Sequence, residues 1–303
     1  MSGIEAERGA ELARKFGNNL ATARIKGPIQ MTTATLRAPT ILGGEYFPDH
    51  NANKMAHEGD VEGARARFLA NKPNNLRFLL EKRFRWMNAY IPAGTKALEL
   101  GCGAGFLQLF VDAPVTLSDV EARPWTNRVV DAMKLRELGE TFDVVVCSHM
   151  IHHIANPIAF FADLATVVKP GGLVLINEIH TGLLMRLLLR IMRHEGWSYD
   201  VDVFDPKAVA NDPRDPWSAN CAIPQLLFGD LARFEREAPA FKVERFELNE
   251  CLVFPLSGGV IAKTATINLP TAVLKLVDGL DRLLIRLMPD VFAMASRVVL
   301  RRV

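Results

Sequence analysis

Residues 97–106 read ALELGCGAGF. An apolar run breaks off into glycines at alternate positions, Gly101, Gly103 and Gly105. In an open α/β sheet, ligands settle just outside the carboxyl ends of strands. Glycine at such a point removes the Cβ that would hold a ligand away from the backbone. The spacing predicts a strand over 95–100 that turns through the glycines into a helix. The free N–H groups and positive dipole end of that helix suit an anionic group. The dinucleotide pattern G-x-G-x-x-G needs its third glycine where this chain has Phe106, which argues against a nicotinamide cofactor. Glu99 sits at the strand's end, where a carboxylate is costly to bury unless it is hydrogen-bonded.

Two more segments share this form. VTLSD (115–119) is an apolar strand closed by Asp119, and NRVVD (127–131) is a weaker one closed by Asp131. A carboxylate at the tip of the second strand can accept both hydroxyls of a ribose, and Asp119 lies 20 residues after Glu99, a spacing dinucleotide enzymes also use. Asp131 is placed to accept from an adenine amino group. Taken singly, either acid is equally a helix cap. FDVVVCS (142–148) is the clearest strand, IAFFADLATVV (158–168) has helical period, KPGG (169–172) stops it, and LVLINEI (173–179) is a fifth strand. Apolar strands alternating with helices or connectors predict an α/β fold with a mostly parallel central sheet, covered by helices on both faces.

ELGCGAG, Asp119, the VVDA around Asp131, FDVVVCSHMIHHIANP and KPGGLVLINE together resemble the class I S-adenosylmethionine-dependent methyltransferases over roughly residues 75–180. The likeness is greatest to the small-molecule and lipid-type branch that includes the quinone and fatty-acyl methyltransferases. It implies a Rossmann-like fold and S-adenosylmethionine as cofactor. It also implies that Glu99, Gly101, Gly103 and Gly105 surround the methionine part, that Asp119 holds the ribose, and that Asp131 and Ala132 meet the adenine. Ser148 and the segment after it would face the reacting methyl. Only 13 residues separate Gly105 from Asp119, so the first crossover helix must be short. Pro124 breaks the next one.

Methyl transfer from a sulfonium requires the acceptor atom to be held in line with the departing bond. A hydroxyl acceptor also benefits from a base. CSHMIHHIANP (147–157) places His149, His152 and His153 close together in a chain with seven histidines. Imidazole's near-neutral pKa suits a base; His149 and His152 are the first choices, and His180, beside Glu178, is a further catalytic candidate. A metal reading pairs His149 with His153 on one helix face. The stretch lacks the glutamate of H-E-x-x-H and shows no third ligand nearby, so no metal site is expected. The remaining reading is that the histidines only line and shape a pocket.

The rest of the chain narrows the function class. With 36 basic and 34 acidic residues, the net charge of +2 is too balanced to expect a nucleic-acid partner. Cys102, Cys147, Cys221 and Cys251 form no C-x-x-C pair, which fits a reducing cytoplasm. The first residues lack the apolar core of a secretory signal, and no apolar run reaches membrane-spanning length.

Four segments are expected. Residues 1–72 are an N-terminal extension, helical at 5–16 and rich in turn formers at 38–60. Residues 73–180 form the cofactor core and open with a helix over 74–91. Residues 181–240 are an inserted helix and lid. Residues 241–303 bring final strands, at 242–248 and 251–254, and an amphipathic helix at 271–288. Arg186, Arg190 and Arg193 recur at spacings of one helix face. A basic stripe on an apolar helix is the pattern of a membrane-surface helix, although apolar helix faces also cover cores and dimer interfaces. Peripheral membrane contact through 181–197 and 271–303 is therefore one expectation, and a small-molecule or lipid-like acceptor another. The favoured function is O-methylation. The alternative is a catalytically silent protein of this fold that binds the cofactor and serves assembly or regulation.

Overall fold

The computed structural model describes residues 44–48, 60–193, 195–261 and 264–303. The expected helix at 5–16 and most of the turn-rich stretch at 38–60 lie outside the described residues. Among the described residues, two α-helices, α1 (Val61–Asn71) and α2 (Asn74–Phe84), precede the sheet. Asp60 caps α1 by accepting from the Gly63 N–H. Leu76, Leu79, Leu80 and Phe84 of α2 are buried along one face, at the helical spacing the sequence shows.

The core follows as β1 (Ala97–Leu100), β2 (Val115–Asp119), β3 (Arg128–Val129), β4 (Phe142–Ser148), α3 (Pro157–Val167) and β5 (Val168–Ile179). Asn156 starts α3 by accepting from the Ala159 N–H, with Pro157 in the first turn. Next come α4 (Leu183–Met192), α5 (Ile223–Phe228), α6 (Leu231–Glu237) and β6 (Phe241–Asn249). The chain closes with α7 (Val253–Ser257), α8 (Thr271–Leu287), α9 (Pro289–Phe292) and β7 (Ala295–Arg302). The strands form one sheet in the order β3-β2-β1-β4-β5-β7-β6. β1 to β5 pair in parallel, and β7 runs antiparallel to both β5 and β6.

Residues alternate across the sheet with period two. Leu98, Leu100, Val145 and Cys147 pack on one face with Phe160, Phe161 and Leu164 of α3 and with Phe228 and Phe234 of α5 and α6. Ala97, Val115, Leu117, Val144 and Val146 pack on the other with Leu76, Leu79 and Leu80 of α2. Both faces are covered, which is why these strands read as unbroken apolar runs.

Several expectations are corrected. The glycine loop opens no α-helix; a single 3-10 turn, Leu107–Leu109, follows it. The chain must reach β2 by Val115, and the Gln108 side chain ties the return by bonding Val111 O, Ala113 O and Val115 N. Segment 251–254 is not a strand. Asp281 of α8 is fully buried and accepts from the Cys251, Leu252 and Val253 N–H groups, turning the chain into α7. The basic tail RVVLRRV belongs to β7, an interior strand whose Val298, Val299 and Leu300 are buried. The strand's apolar residues are thus taken up by the core. Residues 223–237, expected in the lid, pack as α5 and α6 on the sheet's face.

Candidate active site

A cavity opens at the carboxyl ends of β1 and β4. Its walls include Glu99, Gly101, Gly103, Ser148, His149 and His152. At one end lies the glycine loop. Gly101 and Gly103 have φ of +66° and +48°, which side chains other than glycine rarely adopt. A Cβ on Gly101 would also come within 2.9 Å of the Met150 side chain. Hydrogen bonds fix the loop from outside. Cys102 N–H donates to Ser118 O at 2.8 Å, Gly103 N–H to Asp119 Oδ2 at 2.8 Å, and Trp125 Nε1–H to Gly103 O at 2.8 Å. Arg65 of α1 donates to Ala104 O and Gly105 O and lies over the Trp125 ring.

Glu99 faces into this end. It is buried, and its Oε2 accepts no hydrogen bond. Burial, reinforced by the Asp119 charge, raises its pKa well above the carboxylate range. An unpartnered carboxylate beside open glycine backbone is a place for a ligand that brings N–H or O–H donors or positive charge. The other sequence candidates are set back from the cavity. Asp119 braces the loop, accepting from Gly103 N–H and, at 3.2 Å, from Glu121 N–H. Asp131 caps the turn that begins at Ala132 by accepting from Met133 N–H. Gly105 lies behind Trp125. None of these four residues is a wall of the cavity.

The histidines occupy the other end. Glu178, at the end of β5, is fully buried and organises them. Its Oε1 accepts from the Met150 and Ile151 N–H groups at 2.6 and 2.5 Å, and its Oε2 lies 2.7 Å from His152 Nδ1. His152 Nε2 then lies 3.7 Å from Glu195 Oε1. Burial opposes charge on His152, but Glu178 and Glu195 outweigh it and lift the ring to about 10. His153 faces the same Glu195 oxygen at 3.8 Å through Nε2. Burial and the adjacent His152 hold His153 at about 4. His149 has φ of +53°, an uncommon backbone state for a bulky residue. Its N–H donates to Asn177 O at 2.8 Å, and its Nε2 lies 3.0 Å from Asn177 Nδ2. Burial and Arg83 keep it well below its ordinary pKa. His180 is not a wall of the cavity. It is buried behind it, and burial with Arg186 nearby holds it at about 4.

The wall between the two ends is largely apolar: Met185, Leu188, Leu189 and Met192 from α4, with Trp217 and Phe254 opposite. Arg83 is the charged exception. It forms a buried bidentate pair with Glu250 at 2.9 and 2.7 Å. The sequence reading found His149 and His152 but not Glu195, Arg83, Arg65 or Trp125, which reach the site from distant segments. It also read Arg186 as part of an exposed stripe. Arg186 is fully buried beside Tyr199, and Arg190 lies over the rings of Tyr46 and Trp197. Arg186 is buried while Arg190 and Arg193 are exposed, so the stripe is divided between core and surface.

Residues 65–203 match the family model described as "Methyltransferase domain". The ubiquinone biosynthesis O-methyltransferase of Ralstonia nicotianae is 30% identical over 118 residues, which is 32% of this chain and 49% of that protein. The mitochondrial protein of the same name from Schizosaccharomyces pombe is 30% identical over 145 residues, 42% of this chain and 52% of that one. The chain thus spans about half the length of the curated relatives it matches. A crystal structure of a SAM dependent methyltransferase from Archaeoglobus fulgidus superposes with a TM-score of 0.44 at 17% identity, covering 75% of this chain and 94% of that one.

Proposed function

We propose that this chain, whose residues 65–203 match a methyltransferase-domain model, methylates an oxygen of a small or lipid-linked acceptor, with S-adenosylmethionine as donor. When bound, S-adenosylmethionine supplies a methyl group on a positively charged sulfur that departs as a neutral thioether. The observation that carries the reading is the cavity's polarity. An unpartnered Glu99 carboxylate and open glycine backbone lie at one end, a histidine–glutamate cluster at the other, and an apolar wall between.

Glu99 would accept from the donors of the cofactor, with Gly101 and Gly103 giving the close backbone approach. Asp119 acts at least through the loop it braces, and its remaining lone pairs stay available to ribose hydroxyls. At the far end, the cluster of His152, His153 and Glu195 receives the acceptor's hydroxyl and takes charge of its proton. The aliphatic wall from α4 suits an acceptor with an apolar chain. Oxygen as the methylated atom agrees with the name of the relatives, ubiquinone biosynthesis O-methyltransferase.

Calorimetric titration with S-adenosylmethionine tests the donor, and labelled methyl transfer into an extract of apolar phenols tests the acceptor. Saturable binding followed by label in a base-stable ether is the expected result. Absence of binding at millimolar cofactor would end the reading. Binding without any transfer would leave the silent, cofactor-binding alternative.

Among the described residues, no helix is long and apolar enough to cross a membrane. We propose instead that α8 rests on an anionic lipid surface. Leu276, Leu283 and Leu287 point outward on it and are more than half exposed, and Lys275, Arg282 and Arg286 stand exposed among them. A greasy acceptor could then be drawn from the bilayer.

A further inference from the structure

We infer that His152, His153 and Glu195 form a divalent transition-metal site at the acceptor end of the cavity. One ligand atom from each lies within 4.8 Å of the others. Glu195 Oε1 is the shared vertex, 3.7 Å from His152 Nε2 and 3.8 Å from His153 Nε2. Bonds of about 2.0–2.1 Å around a tetrahedral ion put ligand atoms about 3.3 Å apart. Closing the site takes a contraction of roughly half an ångström at each Glu195 contact and of up to about 1.5 Å between the two histidine nitrogens, which lie within 4.8 Å.

Each ligand is already aimed by a partner outside the site. His153 Nδ1 lies 3.1 Å from Ser218 O. A carbonyl can only accept, so the proton sits on Nδ1 and the lone pair on Nε2. His152 Nδ1 faces the Glu178 carboxylate, which fixes the same tautomer when the ring is neutral. Glu195 Oε2 accepts from the Cys221 thiol at 3.2 Å. Metal-binding histidines characteristically donate their second N–H to a carboxylate or a backbone carbonyl, and both arrangements are present here. The two rings lie 4.3 Å apart, centroid to centroid. An incoming metal ion would displace the proton of His152; two imidazole lone pairs and a carboxylate oxygen then converge on one point, which suits a cation.

Two nitrogens and one oxygen select zinc, iron(II), manganese or nickel over calcium. Three protein ligands leave a coordination position open toward the cavity, as catalytic sites do. If the methyltransferase reading holds, that position would take the acceptor's oxygen and lower its pKa, so that it meets the methyl group deprotonated. The metal site itself rests on the ligand geometry alone.

The test is titration of chelator-treated protein with cobalt(II), followed by its visible absorption, with zinc as competitor. One cobalt per chain, displaced by zinc, is expected. His153→Ala and Glu195→Gln should each weaken binding by roughly tenfold or more, with circular dichroism confirming that both variants fold. If either fails to fold, His153→Gln serves in its place. Absence of a cobalt spectrum at millimolar metal, or equal affinity in folded variants, would overturn the site; a proton shared between His152 and Glu195 would then occupy that point. Cofactor calorimetry on the same samples separates the two readings. Cobalt binding without S-adenosylmethionine binding keeps the metal site and removes the methyltransferase. The reverse removes only the metal site.

Discussion

The two ends of the cavity are built by opposite means. The glycine end is local: Glu99, Gly101 and Gly103 stand at alternate positions within five residues of a strand end, and their backbone forms the surface. The histidine end is assembled from afar. His152 follows β4, Glu178 ends β5, Glu195 follows α4, and Ser218 comes from the long connection before α5. The local end carries an acid that lacks a partner, whereas the assembled end satisfies its acids closely. A site that waits for a ligand with donors can leave a carboxylate bare. A site held together by side chains from distant segments has to bind those segments to one another first.

The largest effect should come from breaking the long-range pair in the wall between the two ends. Glu250→Ala leaves Arg83 buried without its partner, and the expected loss is about 3–5 kcal/mol in urea unfolding. Acid unfolding should show the same pair. Burial works against the Glu250 charge, but Arg83 brings its pKa below the ordinary 4.5. Its contribution is thus complete above that value and lost as pH falls through the lower, folded-state pKa. If Glu250→Ala unfolds at the wild-type urea midpoint, the wall between the two ends does not depend on this pair.

At the local end, Gly101→Ala places a side chain in the left-handed region and against Met150. It should cost about 1–2 kcal/mol in stability and reduce S-adenosylmethionine affinity by more than the stability loss alone predicts. Wild-type affinity in calorimetry would move the cofactor away from this loop.

Glu99→Gln sharpens the contrast, because it should act with opposite signs on stability and binding. The Glu99 pKa is raised in the folded protein, so its charge costs stability as pH rises from about 4.5 toward the folded value. The variant should therefore melt higher than wild type at neutral pH without cofactor. It should bind S-adenosylmethionine more weakly by about 1.5–3 kcal/mol, the range for a lost charged hydrogen bond. A lower melting temperature would mean that Glu99 already has a partner.

The smallest effect on the fold belongs to α8, outside both ends. Leu283→Ser should change stability by no more than about 0.5 kcal/mol. It should also lower co-sedimentation with anionic vesicles. Unchanged sedimentation would remove the lipid-surface role.

Much of this was legible in the residues. β2 and β4 fall where 115–119 and 142–148 predict them, and α2, α3 and α8 follow their apolar periodicity. Parallel strands buried on both faces must be apolar throughout, and a backbone-lined ligand site must spell its glycines in sequence. The tail at 295–302 was unreadable for a related reason: a strand inserted between β5 and β6 has no local signal of its neighbours. The stripe of Arg186, Arg190 and Arg193 was misleading because helix spacing fixes which residues share a face, not what that face meets.

The sequence by itself determined the order of the first five strands, the glycine loop and the presence of histidines after β4, since each depends on residues adjacent in the chain. Only the tertiary structure decided that Glu178 and Glu195 would close on His152, that Asp119 would brace the loop, and that Arg186 would turn inward. Those outcomes depend on contacts between segments far apart in sequence. Burial there leaves each charged group the choice of finding a distant partner or going without one.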